Sequence, residues 1–388
     1  MIYDAIVVGL GGMGSATAYQ LAGRGKRVLG LEKFSPAHDR GSSHGRSRII
    51  RQAYFEDPAY VPLLLRAYEL WERLERETGQ ELMTLTGGLM IGRREDELVS
   101  GSVKSAEEHD LPYELLDADE IRRRFPPFSP DSETVALYEE KAGFVRPEET
   151  VKAHLDRAAS LGADLRFEEP VLSWEASGEG VRLETRAGSY EGERLVISPG
   201  AWASQLLADL RIPLEVERQV MYWFESTSGL EPFRPDRFPI FIWEPDDGNM
   251  FYGFPAQDND RGIKVAFFRA GGVPTTPETI DREVHQEEID FIRGYLAEHV
   301  PDLAGRCLDA RACMYTNTPD LHFVISLHPE LEQVAIACGF SGHGFMQSPA
   351  VGRAVAEEIL DGASSFDLTP YALERFEAGA VFPETLVL

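Results

Sequence analysis

The chain has 388 residues, 43% of them hydrophobic, and carries a formal net charge of −27 at pH 7. Such a length exceeds one compact core and predicts two domains. So acidic a surface repels phosphate backbones and anionic lipid, which argues against nucleic acid and membranes as partners, and no stretch approaches the ~20 apolar residues of a membrane span.

The N-terminal "MIYDAIVVGLGG" lacks the basic region of a signal peptide and runs straight into a strand, so a cytoplasmic protein is expected. Ala5–Val8 is an apolar, β-branched run bounded by glycine, the mark of a buried parallel strand. Gly9, Gly11 and Gly14 then form G-x-G-x-x-G, residues 13–22 read as a helix, and residues 27–31 as a second strand ending at Glu32. Gly9 permits the tight turn, Gly11 lets backbone approach a pyrophosphate, and Gly14 lets the helix pack on the strand. Glu32 stands where a carboxylate would hold a ribose 2′-hydroxyl and disfavour a 2′-phosphate. The motif predicts a bound dinucleotide and does not separate NAD from FAD.

"GSSHGRSRIIRQAY", residues 41–54, is polar, basic and too glycine-rich at its start for a plain helix. A helix follows, with Asp57 as N-cap, Pro58 at its first position and Gly79 as its stop. Another starts at Pro147 and ends before Gly162, and short strands follow to Ser198. Between residues 216 and 269, "QVMYWFES", "FPIFIWEP", "NMFYGFPA" and "GIKVAFFRA" alternate with period two and predict an antiparallel sheet. Within it Lys264 is a lone lysine in an apolar strand, on one face with Ala266 and Phe268, which favours an inward role. The final "QVAIACGFSGHGFMQSPAVGRAVAEEILDG" returns to strand, glycine turn and helix. The fold class is therefore α/β plus α+β. A Rossmann-type dinucleotide domain is expected from 1–80, 145–215 and 318–388, and an inserted antiparallel substrate domain from 81–144 and 216–317. Cys307, Cys313 and Cys338 form no metal-ligand spacing and no disulfide framework, so each is either a small buried residue or a reactive thiol.

"GLGGMG", "GSSHGRSRIIRQAY", "ISPGAW", "YGFP", "CMYT" and "GFSGHGF" occur in that order. With them the chain resembles, over nearly its full length, the monomeric sarcosine oxidase and N-methyl-tryptophan oxidase family of D-amino-acid-oxidase-like flavoenzymes. The resemblance implies FAD, attached covalently by a thioether from Cys313 to the flavin 8α-methyl. It places Gly9, Gly11, Gly12, Met13, Gly14, Glu32, Lys33, Ser42, Ser43, Val171, Gly200 and Trp202 along the cofactor, with Gly342, His343, Gly344, Phe345 and Met346 beside the flavin. His44 and Arg48 match residues near the ring, Arg51 the arginine that pairs with a substrate carboxylate, and Lys264 the lysine that activates oxygen. Tyr252 matches a pocket tyrosine; Tyr315 is a pocket candidate or a core residue.

Two positions depart from the family. Met346 replaces a lysine that shares the substrate carboxylate, and Phe268 replaces a histidine. Losing one charge-assisted contact costs about 1.5–3 kcal/mol, so weak binding of sarcosine and preference for more apolar amines are expected. The implied reaction oxidises a secondary amine (sarcosine, another N-methyl amino acid or a cyclic imino acid). The imine hydrolyses, to formaldehyde plus an amino acid in the N-methyl case, and oxygen becomes hydrogen peroxide. The partners are thus a small amine and oxygen, the chain is expected to be a monomer, and no metal is called for. The alternatives are a flavin dehydrogenase with another acceptor, an NAD-dependent dehydrogenase on the same fold, and a non-catalytic flavin-binding module.

Overall fold

The N-terminal strand and glycine turn open a six-stranded sheet. The computed structural model describes residues 2–257 and 262–376. In strand order the sheet is Asp164–Arg166, Val28–Leu31, Ala5–Val8, Leu195–Ile197, Leu331–Cys338 and Val324–His328. The first five run parallel and the last antiparallel. Each parallel strand is a short apolar run because helices cover it: Gly12–Gly23, Pro147–Ser160, Val61–Thr78 and Ser348–Asp361 share one apolar core with it. A four-stranded sheet (Ile2–Tyr3, Ser189–Gly192, Gly180–Thr185, Val171–Ser177) packs on the other side, in a second core with Leu29, Leu195 and Ile336.

The four alternating runs of residues 216–269 appear as Glu215–Phe224, Ile240–Trp243, Phe251–Gly253 and Ile263–Phe267, antiparallel to their neighbours within that group. They belong to a nine-stranded sheet that also takes Gly88–Gly92, Glu114–Asp117, Val135–Glu139, Val273–Thr275 and Cys307–Asn317. Ile240–Trp243 pairs in parallel with Gly88–Gly92, so the sheet is mixed where alternation alone predicts antiparallel pairing. Strand period reports which face is buried, not which neighbour arrives from elsewhere in the chain. Asp57 caps as expected by accepting from Ala59 N, but only a 3₁₀ turn, Pro58–Tyr60, follows; the α-helix begins at Val61 and ends on Gly79 at φ +67°.

A small sheet of Arg48–Ile50, Gly143–Val145 and Met83–Leu85 lies between these units and carries the basic segment. Among the described residues no helix is long and apolar enough to cross a membrane.

Candidate active site

A cavity of about 500 Å³ opens at the carboxyl ends of four parallel strands, with Val8, Leu31, Ser198 and Ala337 in its wall. That edge is where doubly wound sheets bind ligands. Gly9 sits at φ +84°, and a Cβ there would lie 2.5 Å from Ser198 O. A Cβ on Gly14 would lie 1.8 Å from Gly9 O, so the helix reaches the strand only without a side chain. Gly9, Gly11, Gly12 and Met13 line the cavity; Gly14 does its work behind the wall. The helix opening at Gly12 carries no acidic residue in its first turn, so its positive end turns toward the cavity without an acid of its own. Glu32, Lys33, Ser42, Ser43, Val171, Gly200, Trp202, Gly342, Gly344 and Phe345 also line it. Glu32 is buried and accepts from Leu10 N (2.8 Å) and Phe34 N (3.0 Å), which holds the turn in shape. Volume, glycine cradle and helix end all fit a dinucleotide such as FAD.

A smaller cavity of about 60 Å³ adjoins it, and Arg48, Cys313, Tyr315, Gly342 and Phe345 line both. Arg51, Tyr252, Phe268, His343 and Met346 face the smaller one. Strand register puts Cys313 there: Cys307–Asn317 runs antiparallel to Glu215–Phe224 with Cys313 opposite Gln219. The Cys313 sulfur is buried, 3.7 Å from Arg48 Nη2, which also donates to Ser42 O at 2.7 Å. The other cysteines line neither cavity. Burial pushes the Cys338 thiol up to about 12 and raises that of half-buried Cys307.

Arg51 is fully buried; both Nη atoms are engaged and its Nε has no partner. Its Nη2 donates to both Glu56 oxygens (2.8 and 2.6 Å) and its Nη1 to Ala53 O (3.1 Å). Burial works to raise the Glu56 pKa, and the charges of Arg51 and Arg269 with the Arg51 hydrogen bonds outweigh it, so Glu56 stays ionised. Glu139, on the nine-stranded sheet, accepts from Gln52 N (3.0 Å) and Ala53 N (2.9 Å) and so fixes the chain just after this arginine. His343 Nε2 donates to Leu321 O (2.9 Å), leaving Nδ1 to accept from Tyr54 Oη at 2.5 Å. Burial holds its pKa at about 4, so it is neutral and has no free nitrogen. Burial also raises Tyr252 and Tyr315. None of these wall groups is poised to take a proton near neutral pH.

The structure sets two candidates apart from the cavity walls. Lys264 is 1% exposed and lines neither cavity; Nζ donates to Gly45 O (2.8 Å) and Ser47 O (2.7 Å), beneath the basic segment. His44 borders a separate polar hollow with Arg40, Glu148 and Arg311. Both His44 ring nitrogens are buried without a partner, and burial, then the charges of Arg48 and Lys264, lower its pKa to about 3. From the other side Glu148 accepts from Gly45 N at 2.7 Å. Glu56, Glu139, Glu148 and Tyr54 are thus site-building residues that the sequence reading passed over. Glu56, five residues after Arg51 in a basic stretch, was the most visible of them.

Residues 4–358 match the model of the family described as FAD dependent oxidoreductase. The monomeric sarcosine oxidase of Streptomyces avermitilis is 56% identical over 97% of this chain and 98% of its own. N-methyl-L-tryptophan oxidase of Salmonella agona is 33% identical over 97% and 100%. Among solved structures, L-proline dehydrogenase from P. horikoshii superposes with a TM-score of 0.85 at 26% identity, over 98% of this chain and 99% of that one. The chain belongs to this family of FAD dependent oxidoreductases. It is an FAD-dependent amine oxidase.

Proposed function

We propose that the protein oxidises a small secondary amino acid, an N-methyl amino acid or a cyclic imino acid, and passes the electrons to oxygen to give hydrogen peroxide. The observation that carries the reading is the shared wall: Arg48, Cys313 and Tyr315 separate a dinucleotide-sized cavity from a small, largely apolar one holding Arg51. FAD bound in the first supplies the two-electron acceptor for a C–N bond presented in the second. Arg51 binds the substrate carboxylate through its planar fork, and Tyr252, Phe268 and Met346 exclude water around the N-alkyl group. No wall residue removes the amine proton, so the substrate reacts as free amine. Lys264 supports the reaction with oxygen from beneath the segment of His44 and Arg48. Cys313, beside the Arg48 cation, is the covalent attachment point for FAD. The same reading assigns 1–80, 145–215 and 318–388 to the cofactor domain, 81–144 and 216–317 to the substrate domain, and the whole to a cytoplasmic monomer.

The test is to incubate the purified protein with N-methylglycine and a series of N-methyl and cyclic imino acids in air. Stoichiometric peroxide, with formaldehyde from N-methyl substrates, is expected; no turnover of any of them overturns the reading. The fold shared with L-proline dehydrogenase supports a second reading, in which another acceptor replaces oxygen. Turnover of amine with an artificial acceptor but without peroxide in air would select it. Acid precipitation and intact mass test the attachment separately: flavin remains with the protein, and leaves it in Cys313→Ser.

A further inference from the structure

Arg269 is the feature this site leaves unexplained. It follows the strand Ile263–Phe267 and sits at φ +63°, a conformation that bulky side chains avoid. Its guanidinium lies 4.7 Å from the ring centre of Phe268, which lines the smaller cavity. Its Nη2 is 3.9 Å from Glu56 Oε1, the carboxylate that already holds Arg51. Its Nε is buried without a hydrogen-bond partner, although the side chain as a whole is 23% exposed. One buried carboxylate therefore faces two arginines, one tightly bound and one within reach.

This arrangement bears on how Arg51 becomes available. A substrate carboxylate that takes the Arg51 Nη2 donors, both now on Glu56, draws Arg51 away from that residue. Doing so would strand Glu56, 5% exposed, as an unpaired buried charge. Met346, in the same cavity wall, carries no charge, and Arg48 is spent on the Ser42 and Ser47 carbonyls. We propose that Arg269 is a positioning residue for carboxylate recognition: it takes over Glu56 when Arg51 turns to the substrate. Arg269 does not line the cavity and does not touch the substrate; it sets the free-energy cost of releasing Arg51. A cation just beyond the end of the strand Ile263–Phe267 thereby eases the release of Arg51. The inference rests on the amine-oxidase reading above and deepens it.

The experiment is anaerobic titration of the holoenzyme with N-methylglycine and with its uncharged carboxamide, following the flavin spectrum. Arg269→Gly suits the positive φ, so the fold is retained, and flavin content and unfolding midpoint check this. It is expected to weaken acid binding by about tenfold or more while leaving the carboxamide within about threefold, and Arg269→Lys is expected to recover part of the loss. In a Glu56→Gln background, where no buried anion needs a partner, Arg269→Gly is expected to have little effect on the acid. An equal loss for acid and carboxamide, the same loss in both backgrounds, or no loss at all overturns the proposal while leaving the amine-oxidase reading standing. If the unaltered enzyme binds neither compound, both fall together.

Discussion

Lys264 is a cation sealed in an apolar sheet and tied to two backbone carbonyls of the segment that carries Arg48. A fixed buried cation acts most strongly on charge that develops nearby, because little water screens it. Lys264→Met is therefore expected to slow reoxidation by oxygen by about 10²-fold or more while the amine still reduces the flavin at close to the normal rate. Stopped-flow measurement of the two half-reactions separates these effects, and equal slowing of both would mean a merely structural lysine. The absence of a poised base leads to a second expectation. His343 has both nitrogens occupied and a pKa near 4, and Tyr252 and Tyr315 are raised. The rate of flavin reduction should rise with pH through the pKa of the bound amine alone, without a step near 6.5 from a histidine. A step that survives a change of amine would contradict this.

At the level of elements, the basic segment of residues 41–54 has little regular structure, with only Arg48–Ile50 in a strand. Its shape is borrowed. Glu148, in the first turn of the helix Pro147–Ser160, holds Gly45 N and Arg46 N, while Glu139 holds Gln52 N and Ala53 N. Glu139→Gln leaves one carbonyl oxygen for two amides and removes the charge, at an expected cost of about 1–3 kcal/mol in unfolding free energy. Because Arg51 lies next to the clamp, the same variant should bind a carboxylate ligand more weakly than it binds an uncharged amine. Elements of this kind mark the limit of what the sequence discloses. The turn at Gly9, the helix behind it and the alternating strands are written in neighbouring residues, and they appear where patterning puts them. Glu139 and Glu148 act across 87 and 103 residues, and no local period reports such a partner. Cys313 and Met346 were legible as candidates through resemblance, whereas Arg269 became visible only when the fold set it beside Glu56.

For the molecule as a whole, acid is the expected weakness. His154 is buried against Tyr19, with Nδ1 unpartnered, and burial alone lowers its pKa to about 3. His44 at about 3 and His343 at about 4 behave alike. Each takes up a proton near pH 6.5 when unfolded but only near 3 or 4 when folded. The unfolded state thus binds more protons in that window, and stability falls with pH by about 1.4 kcal/mol per unit for each histidine. Thermal unfolding between pH 7 and 4.5 should show a steep acid limb, and His154→Phe, which keeps the stacked ring, should flatten it by about one such increment per unit. An unchanged slope would show that His154 is protonated in the native state. Over the same range the net charge of −27 is titrated toward a pI of about 4.7, so loss of mutual repulsion adds precipitation to unfolding.

The long cavity begins on the glycine turn of the six-stranded sheet and ends at Cys313 on the nine-stranded one. A molecule lying along it touches both sheets, and binds well only when both are folded and docked. A bond at Cys313 would make that occupancy permanent. The cofactor would then be a cross-link between folding units, tied covalently at one end and by many weak contacts at the other. Such a link removes the exchange by which a partly opened chain loses its ligand. The loaded protein should therefore unfold as one cooperative body, and the empty one in two steps.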